Sequence, residues 1–194
     1  APGMNAPRPP GPPASRPPAG HDRTEPAPPR APRALVAGSI NVDFIGRARR
    51  AAEPGETLLL DGLEVHGGGK AANQALAASR LGAPAALFGR VGDDETAPLA
   101  LGPLEAAGID LRGVGVVPGE RTGTALILVD PSGEKRIYLA LGANDRWEDD
   151  EGEALVHAIR RAPAGTLCLF QLVMPPAVVE RCAHAARDAG LPVL

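Results

Sequence analysis

Aromatic residues are nearly missing from this chain: three Phe, one Tyr and one Trp make up 3% of its 194 residues. Any core must therefore be assembled from Ala, Val, Leu and Ile, and a hydrophobic content of 44% supplies them. Cysteine is scarce too. Cys168 and Cys182 have neither disulfide-framework nor metal-ligand spacing, which argues for buried, inert thiols and leaves the chain with no metal site of its own. No apolar run approaches the roughly 18 residues of a membrane span, and no secretory apolar region precedes the first strand. No dense basic stripe is present and the net charge is −3, which argues against nucleic acid as the main partner. A cytoplasmic protein with one domain and a tail is the expectation, because a body of this size buries roughly 70% of its unfolded surface.

The tail is defined by a further absence. Residues 1–33 contain no Leu, Ile, Val or aromatic residue, yet hold 12 of the 22 prolines. Such a segment cannot bury enough apolar surface to offset its ordering entropy, and it reads as a disordered Pro/Ala-rich extension. From Ala34 onward the text alternates strand and helix. Strands are expected at 34–38, 57–66 (broken at Asp61-Gly62), 85–92 and 166–171, and again from "LPVL" at the end. Helices are expected at 70–81, at 149–162 and at 175–189. Ala72, Ala75, Leu76 and Leu81 form the apolar stripe of the first of these helices. A further helix should start after Asp93 and Asp94 as caps, and Gly102-Pro103 should kink or divide it. Pro131-Ser132-Gly133 between two apolar runs predicts a hairpin. Alternating strand–helix units imply a parallel sheet covered by helices, and the exposed strands imply a small antiparallel flap over segments 40–66 and 112–142.

The stretch "VHGGGKAANQ" then raises a chemical question. Three glycines before a helix lose side-chain contacts and allow something to approach the backbone. A phosphate-binding P-loop fails here, because Glu64 and Ala71 stand where a glycine and a hydroxyl are required. Gly67, Gly69 and Ala72 satisfy a dinucleotide fingerprint, but the strand before them is not the buried opening strand. A neutral polyol remains: the helix N-terminus offers free N–H groups, Lys70 an ammonium, and Asn73 a donor and an acceptor. A plain glycine-rich helix entry is the competing explanation. "GSINVD" adds Asn41 and Asp43 just past the carboxyl end of the first buried strand, where open α/β sheets bind ligands. Two residues apart in extended chain, they point the same way and can grip vicinal hydroxyls. An Asx-turn explains either residue taken singly.

Taken together, "GSINVD", "PGET", "GGGKAANQALAASRLGA", "GRVGDD", "TGTALILVDPSGE" and "GAN" resemble ribokinase and the wider phosphofructokinase-B-like carbohydrate kinases over residues 34–194. The resemblance implies a Rossmann-like α/β/α sandwich with a small β lid. It implies transfer of the γ-phosphate of ATP to a sugar hydroxyl, with Mg2+ and in some cases K+, and dimerisation through the lids. By position it assigns sugar contacts to Asn41, Asp43, Gly68, Gly69, Lys70 and Asn73, with Ala125 and Ile127 as apolar lid cover.

Three departures qualify it. Ala71 replaces the glycine usual after the lysine. Val173 stands where ribokinases place a sugar-binding glutamate after Gln-Leu, so ribose or a related pentose is the expected substrate, with other pentoses, fructose derivatives and nucleosides as the runners-up. The Gly-Ala-Gly-Asp element, with its anion hole and catalytic base, does not occur in the chain, so no catalytic residue is assigned to it. The expectation is therefore the N-terminal, sugar-binding part of a kinase. A truncated sugar-binding or interaction module is the alternative.

Overall fold

A computed structural model describes residues 31–194. The tail reading spans residues 1–33; residues 1–30 lie outside the described ones, and at its end the reading is corrected, because Arg33 N donates to Pro84 O at 2.7 Å and Arg33 O accepts Leu167 N at 2.9 Å, which ties this residue to the domain. Two small sheets organise the molecule. The core sheet has the order β5-β4-β1-β8 and is parallel throughout, with β1 at Ala34–Ala37, β4 at Ala85–Gly92, β5 at Asp110–Val117 and β8 at Leu167–Phe170. The "LPVL" segment extends it beyond β8, through a parallel bridge between Cys168 and Val193.

β1 is buried on both faces, as its unbroken apolar run requires. Val36 and Leu87 face one layer, formed by α1 (Lys70–Arg80) and α2 (Ala97–Ala106), through Ala72, Ala75 and Leu104. Leu35, Phe88 and Phe170 face the other, formed by α3 (Asp149–Arg160) and α4 (Pro176–Asp188), through Leu155, Ile159 and Cys182. Helices therefore cover both faces, and the chain is a three-layer α/β/α sandwich.

The second sheet has the order β3-β2-β6-β7, with β2 at Asn41–Arg47, β3 at Gly62–Gly68, β6 at Gly123–Val129 and β7 at Lys135–Ala140. It is the expected lid, with three corrections. β2 runs parallel to β6, so the lid is mixed and not an antiparallel flap. β5 belongs to the core sheet, so the second lid segment starts at Gly123 and not near residue 112. β5 reads poorly as a core strand because glycines interrupt it, yet Gly113 is what lets the Phe88 ring lie against it. Strand β3 starts only at Gly62, after the Asp61-Gly62 break, and takes Gly67 and Gly68 into its own end.

Smaller differences have local causes. Helix α2 runs unbroken through Pro103. Leu81 is the exposed C-cap of α1, and Ala71 takes its place in the buried stripe. Asp93 and Asp94 bind a distant loop: Gly119 N donates to Asp93 Oδ1 at 3.0 Å, and Thr122 Oγ1 to Asp94 Oδ1 at 2.7 Å. Burial pushes the Asp94 carboxyl up, and hydrogen bonds from Thr122 and Thr96 outweigh it and hold it below the ordinary value. These bonds tie the start of the lid strand β6 to the carboxyl edge of β4.

Candidate functional site

Chain order places a topological switch point in the core sheet. From β1 the chain builds β4 and β5 on one side, then returns to lay β8 on the other. A crevice therefore opens past the carboxyl ends of β1 and β8, the usual ligand position in such sheets. Gly38 and Gln171 stand at its floor, with Gln171 N donating to Ala37 O at 3.0 Å. A Cβ on Gly38 would lie 2.8 Å from Gln171 Cγ, so only glycine fits there. Gln171 Nε2 donates to Gln74 Oε1 of α1 at 2.7 Å, which joins the first turns of α1 to the same crevice.

The glycine run is where sheet and helix meet. Gly68 pairs with Asn41 across the β2–β3 ladder. The Asp43 carboxylate lies directly over the Gly68 Cα, at a spot any Cβ would occupy. Gly69 is the N-cap of α1, at φ 95 and ψ 141. Ser39 supplies what a capping side chain would: its Oγ accepts Lys70 N at 3.1 Å and its carbonyl accepts Ala72 N at 3.3 Å. The lid begins at the same place. Lys70 and Asn73 are exposed on the first turn of α1, beside this junction.

Asp43 is half-buried and accepts no hydrogen bond among the described residues. Burial pushes its carboxyl up from the ordinary carboxylate value, and His66, its partner across the strands, pulls partly against that. Ala125 pairs with Asp43 on the same lid face and is buried, while Ile127 lies two residues further along that face. Asn41 is more constrained than expected. Its Oδ1 is taken by Asn144 Nδ2 at 2.8 Å, which leaves its own amide NH2 for a ligand.

Asn144 is the residue that local sequence reasoning passed over. It sits on a short 3-10 turn, Gly142–Asp145, and is fully buried. It accepts Ile40 N at 2.9 Å and donates to Ile40 O at 3.1 Å, as well as to Asn41. Its partners lie 103 and 104 residues away, so the "GAN" motif marks the residue without revealing its role. Replacing it by Ala leaves both polar groups of buried Ile40 unpaired. Asn144→Ala should cost about 2 kcal/mol, since an orphaned buried group costs roughly 1–3 kcal/mol. Urea unfolding with an unchanged m value checks this.

No group of three or more His, Cys, Asp or Glu positioned to hold a metal ion occurs among the described residues. Asp43 faces the glycine run as an anion and would repel a polyphosphate there, so the junction fits a neutral polyol and not a triphosphate.

The three layers, the mixed lid and the crevice between them define a ribokinase-like α/β fold. A model of the pfkB family carbohydrate kinase matches residues 31–194, and the chain belongs to that family. It is 35% identical over 167 residues to a ribokinase of Schizosaccharomyces pombe, covering 82% of this chain and 51% of that protein. It is 37% identical over 160 residues to a ribokinase of Haemophilus influenzae, again covering 82% and 51%. The solved structure of Arabidopsis thaliana ribokinase complexed with ribose and ATP superimposes with a TM-score of 0.72 at 30% identity, covering 84% of this chain and 53% of that one. The chain thus spans about half the length of these relatives.

Proposed function

We propose that this chain carries the sugar-binding part of an ATP-dependent kinase that phosphorylates a hydroxyl of ribose or a related pentose. The observation that carries the reading is the half-buried Asp43 carboxylate, which accepts no hydrogen bond among the described residues and is held over Gly68 at the switch-point crevice. A carboxylate so placed accepts hydrogen bonds from two vicinal hydroxyls. The Asn41 amide, the peptide edge of Gly68 and Gly69, Lys70 and Asn73 surround the same polyol with donors and acceptors. Ala125 and Ile127 present an apolar lid face that keeps water from those bonds. ATP is the phosphoryl donor in this reading, with Mg2+ and K+ as family expectations, and the kinase relatives support it.

The chain's own residues bind and orient the sugar and shield it from water. None of them is assigned as the base that takes the hydroxyl proton. The exposed Leu63, Val65, Leu126 and Tyr138 share the lid's other face and support pairing of two chains through their lids.

Calorimetric titration with D-ribose tests the reading. Saturable binding is expected, weakened about tenfold or more for 2-deoxyribose, because one charge-assisted hydrogen bond contributes roughly 1.5–3 kcal/mol. Equal affinity for both sugars, or none for either, defeats it. ADP release in a coupled assay separates a kinase from a sugar-binding module.

A further inference from the structure

We propose that His66 is a further sugar-contacting residue: its imidazole takes a hydroxyl that the Asp43 carboxylate does not reach, so that the site reads a third hydroxyl of the polyol. The inference rests on the polyol reading above and adds to it a residue that decides which sugars are accepted.

The placement follows from strand register. Side chains directly opposite each other in paired strands point to the same face, with Cβ atoms roughly 4.5–5.5 Å apart. Asp43 lies opposite His66 on β3 and beside Ala125 on β6. Gly68, two residues beyond His66, shares that face and lies under the Asp43 carboxylate. His66 therefore stands on the crevice side of the lid, next to Asp43. The two sides of Asp43 differ in chemistry. Toward β6 and β7 the face continues through Ala125, Ile127 and Leu139, which are apolar. Toward β3, the edge strand of the lid, it continues through His66 and Glu64. A sugar seated on Asp43 thus meets an apolar wall on one side and an imidazole on the other.

The imidazole is oriented before any ligand arrives. Its Nε2 lies 3.1 Å from Glu64 Oε2, two residues away on the same strand face. An ionised carboxylate only accepts, so Nε2 carries the proton of that bond. The bond holds the Glu64 carboxyl below its ordinary value, and the Arg47 guanidinium, 3.7 Å from Oε1, adds to the effect. Arg47, Glu64 and His66 form a connected polar row that ends beside Asp43. Nδ1 takes part in no hydrogen bond among the described residues, and the His66 side chain is 55% exposed. That nitrogen accepts a proton from a hydroxyl when the ring is neutral and donates to the hydroxyl oxygen when the ring is charged. A hydroxyl does both, so the contact survives either state of the ring. A methylene in its place can do neither.

Calorimetric titration of the 194-residue chain tests this, with D-ribose, 1,4-anhydro-D-ribitol and the 2-, 3- and 5-deoxy forms of D-ribose as probes. His66→Ala should weaken D-ribose about fivefold, as the loss of one hydrogen bond does. That loss should vanish for one deoxy sugar alone. Asp43→Asn should instead be blunted for two other sugars, those lacking one of its vicinal hydroxyls. His66→Gln, which keeps a donor and an acceptor, should restore most of the affinity. His66→Phe, which fills the space and suits a strand, should not. The proposal is overturned if His66→Ala binds ribose as the original chain does, or if Gln binds no better than Phe. A loss equal for every sugar also overturns it, since that marks a structural role. So does a loss that vanishes for a sugar that blunts Asp43→Asn, because His66 then acts through Asp43. If His66→Ala does not fold, the Gln and Phe variants still decide. If the original chain binds none of the sugars, the polyol reading falls and this one with it. If ribose binds and only the His66 arms fail, the polyol reading stands.

Discussion

Gly69→Ala should lower the stability of the chain by about 4 kcal/mol, because two separate penalties fall on one Cβ. The first is conformational. With φ at 95 and ψ at 141, Gly69 occupies a region closed to side chains, which costs roughly 1–3 kcal/mol for a non-glycine residue. The second is steric. The added Cβ would meet the carbonyl of Ser39 and lie 2.9 Å from Asn41 N, and both are backbone atoms that no rotamer change can move aside. The backbone could yield only by shifting Ser39, which caps α1 at Lys70, or Asn41, which starts the lid. At roughly 2–4 °C per kcal/mol for a chain of this size, the melting temperature should drop by about 8–16 °C. A scan of Gly69→Ala beside Gly82→Ala checks the steric share. Gly82 also has a positive φ, of 84, but a Cβ there meets nothing within 4 Å, so the conformational penalty alone should appear. Equal losses in the two variants would show that the Ser39–Asn41 contact contributes nothing.

That comparison also shows what a linear reading can see. The buried run of β1 and β4, the helices α3 and α4, and the Pro131–Gly133 hairpin are all periodic or local signals. They appear where they were expected. The glycine run was legible as a place of close approach, but the identity of the approaching group was not. Ser39 lies 31 residues from Lys70 in the chain, and its hydroxyl caps a helix that carries no cap of its own. The partners of Asn144 are hidden for the same reason, although "GAN" marks its position. β5 was misplaced because glycines break its apolar pattern, and the reason for Gly113 is a ring on a neighbouring strand. Asp94 reads locally as a helix cap, whereas in the fold it also answers Thr122, 28 residues on. Long-range partners decide these cases, and local propensity carries no record of them.

Asp43→Asn should change stability and sugar binding in opposite directions. Burial raises the Asp43 pKa above its ordinary value of 3.8, so the folded chain holds a proton that the unfolded chain has already released. Stability therefore falls as pH rises from 3.8 through the raised folded value, and above it the cost of the buried charge is fully present. Asn has the same shape and no charge to desolvate. The variant should melt about 1–3 °C higher at pH 7, and that advantage should disappear in acid, below the start of the window. Binding should move the other way. Two vicinal hydroxyls that donate to a carboxylate lose their charge assistance with Asn, which corresponds to about 10²-fold weaker ribose binding. The unsubstituted chain should also lose ribose affinity as pH falls through the raised Asp43 pKa, while the Asn variant keeps a flat profile. A residue that served only the fold would gain nothing from being replaced, so higher stability with lower affinity marks a side chain kept for its ligand. Differential scanning calorimetry and ribose titration, each run from pH 3 to 8, measure both arms. An Asn variant that binds ribose as tightly as the original chain would remove Asp43 from the site.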